Sequence, residues 1–105
     1  MSAITHAYLT DKSTSTLGNS STQLLPANSS RNFLLIENTS TSNDVWVNLS
    51  GGTSSVSGSG CIYLPKQNTT TPVYLSRILF DTAVPATSIT AIAAAGSTTV
   101  TVLEA

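Results

Sequence analysis

Five carboxylates, one histidine and one cysteine are all that this 105-residue chain offers for acid–base, nucleophilic or metal chemistry. The carboxylates, Asp11, Glu37, Asp44, Asp81 and Glu104, are scattered. Glu37 and Asp44 bracket an Asn/Thr/Ser cluster, where a tight connection could bring them together as an acid–base pair of the glycosidase kind. Solvated charges on a turn are the preferred reading. His6 is the one base available to a Ser-His-Asp arrangement, and it is read as an ordinary side chain of the weakly patterned N-terminus. Neither a Gly-x-Ser-x-Gly elbow nor a Ser-x-x-Lys pair occurs. Gly58-Ser59-Gly60 lacks the further glycine and lysine of a phosphate loop. One Cys and one His cannot make a zinc site or a disulfide framework. The residues predict no enzyme, no cofactor and no metal.

Cys61 stands in an apolar stretch, Cys61-Ile62-Tyr63-Leu64, and is expected to be a buried thiol behaving as a small hydrophobe. Five asparagines (Asn19, Asn28, Asn38, Asn48, Asn68) head an Asn-x-Ser/Thr triplet. A chain so rich in Ser and Thr should give two or three such triplets by chance. With no secretory signal in the first residues, glycosylation is not expected. The longest strictly nonpolar run, residues 91–95, is far below the roughly 18 residues a bilayer needs.

Charged residues are 9% of the chain and the net charge is −1, with four Lys and Arg in all. That leaves no electrostatic footprint for nucleic acid or an anionic membrane. Ser and Thr, 17 of each, take the place of the charges. Such a surface repels copies of itself weakly and loses little side-chain entropy on contact, which suits a protein packed against a fixed partner or itself. Leu, Ile, Val and Phe still make up about a quarter of the chain, enough for one modest core.

Short apolar runs between Ser/Thr/Asn/Gly clusters read as an all-β domain. In residues 44–49, Val45, Val47 and Leu49 share one face by the two-residue period. Trp46 and Asn48 take the other, where Trp46 is either a second core face, the preferred reading, or an exposed interface anchor. Residues 32–37 are a continuous apolar run, as in a strand covered on both faces, and with 44–49 they predict a hairpin with a six-residue connection. Residues 50–60 read as a flexible Gly/Ser loop. Further strands are expected at 23–25, 61–64, 71–75 (at an edge, because of Pro72) and 78–80. Residues 88–93 and 98–103 read as a second hairpin turning at Gly96-Ser97, the Ala-rich piece being too short for a stable helix. Residues 1–22 are read as a loosely attached N-terminal arm, with Ile4, His6 and Tyr8 on one face if extended. Residues 23–105 form the domain. The architecture expected is a small antiparallel β-sandwich, jelly-roll-like, with an extended N-terminal arm.

The run Leu24-Leu25-Pro26-Ala27-Asn28-Ser29-Ser30-Arg31-Asn32-Phe33-Leu34-Leu35-Ile36-Glu37-Asn38, then Asp44-Val45-Trp46-Val47-Asn48-Leu49-Ser50-Gly51-Gly52, resembles small virion proteins of tailed bacteriophages. There a Pro-Ala-Asn-x-x-Arg turn leads into a Leu-Leu-Ile-x-Asn strand and a Val-x-Val-Asn strand. The tail, Val84-Pro85-Ala86-Thr87 through Val102-Leu103-Glu104, fits the same group. The resemblance implies a capsid decoration (cement) protein without catalytic residues. It would be made in the host bacterial cytoplasm and sit as a homo-oligomer on the outer surface of the head, with the major capsid protein and its own copies as partners. The loop at 51–60 is longer than the group suggests, and the motif does not cover the arm. Ile4, His6, Tyr8, Trp46 and Tyr63 are the candidate protein-interface residues. The alternatives are a tail, fibre or head-appendage module, or a carbohydrate-binding β-sandwich that stacks sugars on Trp46 and Tyr63.

Overall fold

Leu34 and Ile36 meet Val45 and Val47 across the core of this protein, from opposite sheets. The computed structural model describes residues 9–105. One sheet contains β1 (Thr10–Asp11), β2 (Thr14–Leu17), β4 (Leu34–Asn38), β7 (Arg77–Phe80) and β9 (Thr98–Glu104). The other contains β3 (Thr22–Leu25), β5 (Val45–Asn48), β6 (Ile62–Leu64) and β8 (Ile89–Ala93). A single 3-10 turn spans Val73–Ser76. No helix among the described residues is long and apolar enough to cross a membrane.

All pairings are antiparallel, and they are nested: β5 with β6, β4 with β7, β3 with β8, β2 with β9. This is one long hairpin, with its tip at β5–β6, rolled up so that β4 also meets β9 and β5 meets β8. The spatial orders β2-β9-β4-β7 and β3-β8-β5-β6 are those of a jelly roll, and β1 continues β2 along β9. Every connection from β2 onward changes sheet except β5 to β6.

Rolling explains why neither expected hairpin forms. β4 and β5 are joined by residues 39–44 yet lie in different sheets, and so do β8 and β9. Both members of each pair bury one apolar face, and the sandwich satisfies those faces by stacking them rather than setting them side by side. The crossing from β4 to β5 is held by Asn38, fully buried, whose Nδ2 donates to the carbonyls of Asn43 (3.0 Å) and Leu64 (2.9 Å). β4 alternates buried and half-buried residues, so it is covered on one face and not both. The Ala-rich piece is strand β8, with Ala91 and Ala93 in the core. Residues 73–76 form the 3-10 turn where a strand was expected, because Pro72 supplies no N–H to a ladder and its carbonyl accepts from Leu75 N.

Within the stretch read as an arm, β1 and β2 are laid on β9, and Leu17 is 1% exposed in the core. The core is one cluster built from both sheets, running from Leu17 and Leu25 through Ile36, Val45, Val47, Leu64 and Ile89 to Val100 and Val102. Each such side chain contributes about 1.5–3 kcal/mol by leaving water.

Candidate interaction surface

The expected interface residues divide by location. Ile4, His6 and Tyr8 lie outside the described residues. Trp46 and Tyr63 stand directly opposite each other on β5 and β6, with Ile92 of β8 on Trp46's other side. Their side chains point away from the core, on the outer face of the sheet. The two rings are 5.4 Å apart and tilted by 32°. Trp46 is therefore not a second core face: it is half-buried beneath its neighbours, while Tyr63 is exposed. Partial desolvation of Tyr63, exposed as it is, raises its phenol above the usual tyrosine range, and the adjacent Asp44 carboxylate adds to the effect by disfavouring a second negative charge.

The carboxylates have local partners instead of each other. Glu37 Oε1 accepts from Arg77 Nε at 2.8 Å, across the β4–β7 ladder, and Glu37 Oε2 accepts from Gln67 Nε2. Asp44 Oδ1 accepts from the Lys66 backbone N–H at 2.9 Å. Asp11 caps the turn between β1 and β2 by accepting from Ser13 N, and bonding to Ser13 lowers its pKa. Glu37 and Asp44, the pair weighed as a glycosidase dyad, thus serve different turns. Among the described residues no three His, Cys, Asp or Glu side chains gather as a metal site. Cys61, expected to be buried, is only half-buried at the start of β6.

The Asn-x-Ser/Thr triplets turn out to be turn chemistry. In four of them the asparagine Oδ1 accepts the backbone N–H two residues on: Asn28 from Ser30, Asn38 from Ser40, Asn48 from Ser50 and Asn68 from Thr70. This is the Asx turn, in which the side chain imitates a backbone turn. At Asn48 and Asn68 the hydroxyl of the third residue bonds the same oxygen. The 50–60 loop, expected to be flexible, is pinned at its start. Asn48 Oδ1 holds Ser50 and Gly52, and buried Ser54 bonds Ser21 and Thr90 on the sheet below.

Sequence reasoning missed the role of Arg31. Its guanidinium is buried and makes four bonds: Nε to Glu104 Oε1 (3.0 Å), Nη1 to the carbonyls of Pro85 (2.6 Å) and Thr87 (3.2 Å), and Nη2 to that of Pro26 (2.8 Å). Asn28 joins in, its N–H donating to Ala86 O and its Nδ2 to Glu104. The Pro26–Arg31 turn, the 84–87 segment and the terminal Leu-Glu therefore converge on one cation. One of only two arginines in a chain of which 9% is charged, set in a turn between apolar runs, was the signal that could have flagged it.

The exposed large apolar side chains are concentrated elsewhere. Of eight among the described residues, six lie on β6, the 3-10 turn and β7: Ile62, Tyr63, Val73, Tyr74, Leu75 and Leu79. β6 and β7 are edge strands of opposite sheets and the 3-10 turn packs against both, but Tyr63 and Leu79 project from the outer faces of opposite sheets, so the six side chains do not share one surface. Compared with protein-family models, with curated proteins and with solved structures, the chain matches none.

Proposed function

We propose that this chain is a non-enzymatic structural protein of a tailed-phage virion, a capsid decoration protein that binds the outer surface of the head and stabilises contacts between major capsid subunits. The observation that carries this reading is the convergence on Arg31. Two of the stretches in which the chain resembles phage virion proteins, the Pro26–Arg31 turn and the tail at Pro85, Thr87 and Glu104, are tied into one physical unit there, which supports reading them together as a scaffold. The nearly uncharged Ser/Thr surface and the rigid rolled sheet suit a protein that acts by adding buried area between shell subunits.

Co-sedimentation of the full chain with emptied phage heads tests the reading, with an Ile4→Ser/Tyr8→Ser variant alongside. Saturable binding, with heads that resist heat better once covered, is the expected result. Binding lost in the variant assigns the contact to the N-terminal residues. Absence of binding by the full chain overturns the decoration reading, and labelling confined to the tail replaces it with a tail or appendage role.

A further inference from the structure

Strand alternation leaves an apolar row on the outer face of the sheet that holds β4, β7 and β9. Leu34, Ile36, Ile78, Val100 and Val102 point into the core, so Leu35, Leu79 and Leu103 point out. The three leucines are direct cross-strand partners, Leu79 opposite Leu35 and Leu35 opposite Leu103, and form an unbroken row about 10 Å long. Phe33 shares the outward side of β4 with Leu35 and extends the patch by one row, its backbone bonded to that of Ala105 in both directions. Phe33, Leu35 and Leu103 are half-buried and Leu79 is 52% exposed, and none of the four belongs to the core cluster. The charges that the ladders set on this face already have partners. Arg77 pairs with Glu37 in the next row, and Asp11, opposite Leu103, accepts from Ser13 N. Covering the face therefore removes apolar surface from water without burying an unpaired charge.

We propose that this face is the one that lies on the phage head, with the row Leu79–Leu35–Leu103 at its centre and an apolar, uncharged area of the major capsid protein as its partner. The inference rests on the decoration reading and adds to it which side of the sandwich docks. Two relationships select this face for that partner. The chain enters it at Leu9, which is 53% exposed and directly precedes Thr10, the partner of Glu104 in the ladder. Tyr8, whose substitution the head-binding experiment probes, is therefore joined covalently to the margin of the patch. Three leucines and Phe33 are smaller than the roughly 800 Å² that each partner gives to a standard interface, so the row and the N-terminal residues act as one surface. The opposite outer face, with Trp46 and Tyr63, is walled by the 50–60 loop. There Gly52 O and the Ser54 hydroxyl bond the hydroxyl of Thr90, and Ser54 N bonds Ser21. A flat shell surface meets that loop before it meets Trp46, whereas the leucine row has no such wall.

Co-sedimentation of the full chain with emptied phage heads, as wild type, Leu79→Glu and Tyr63→Ser, is the test. Leu79→Glu is expected to weaken head binding about thirty-fold, the size of an interface hot spot. Tyr63→Ser, on the opposite outer face, should change it by less than about two-fold. Hydroxyl-radical footprinting of the wild type, free and head-bound, supplies a readout that needs no variant: Leu35, Leu79 and Leu103 should lose reactivity on the head while Tyr63 keeps its own. Wild-type binding that Leu79→Glu leaves unimpaired, or protection of Tyr63 in place of the leucines, overturns the assignment of the face and leaves the decoration reading standing. Absence of binding by the wild type overturns both.

Discussion

Arg31 and Glu104 stand 73 positions apart in sequence and meet at 3.0 Å, Nε to Oε1, with the Arg31 side chain wholly removed from water. An isolated buried guanidinium would be strongly unfavourable. Here four of its five N–H groups are directed at named oxygens, so the charge is neutralised by one carboxylate and solvated by three carbonyls that the turns leave free. The cation acts as a knot between the loop entering β4, the loop entering β8 and the end of β9.

Removing that knot should be costly. Arg31→Met leaves the Pro26, Pro85 and Thr87 carbonyls without a partner and the Glu104 carboxylate with only its long bond from Asn28 Nδ2, and urea unfolding should show a loss of about 3–5 kcal/mol. Arg77→Met, at the more exposed pair with Glu37, should lose no more than about 0.5 kcal/mol. Equal losses from the two would contradict the burial difference between these ion pairs.

The asparagine turns should sort by burial in the same way. Asn38→Ala strands the buried carbonyl of Leu64 and the half-buried one of Asn43 and should lose about 2–3 kcal/mol. Asn68→Ala removes only an exposed Asx turn and should lose under about 1 kcal/mol. Thermal unfolding of the two variants side by side checks this.

Leu17→Ala tests whether β2 belongs to the sandwich. A buried leucine truncated in a closed core loses about 2–5 kcal/mol, whereas a residue of a detached arm would lose almost nothing. Deleting residues 1–21 would remove β1 and β2 as well, so it cannot serve as a clean test of the N-terminal contact.

Tyr63 should ionise late. Its pKa is raised in the folded state, first by partial desolvation and then by Asp44, so the neutral phenol is the form that the fold favours. The associated stability is complete below the ordinary tyrosine pKa of about 10 and is lost as pH rises through the higher folded value. Ultraviolet titration should show a phenolate step above pH 10 that Tyr63→Phe abolishes and Asp44→Asn moves down. A late step that persists in Tyr63→Phe would refute the assignment.

Much of the fold is local in origin. The two-residue period at Val45 and Val47, the β-branched run at 98–102, and the Asn/Ser/Thr clusters state from sequence alone that the chain makes short strands joined by turns, and that Val45 and Val47 share one face. The same reading shows that charged residues are sparse and that the chemistry-bearing residues are few. Which strand neighbours which is not local. The apolar stripe at Leu34 and Ile36 would pack as well beside Val45 and Val47 as above them. The choice is made by contacts between distant residues, such as Asn38 with the Leu64 carbonyl and the β4–β9 ladder. Trp46 faces away from the core because its neighbours Val45 and Val47 take the core side of β5. The importance of Arg31 likewise exists only after rolling, because it depends on which oxygens are brought together in space.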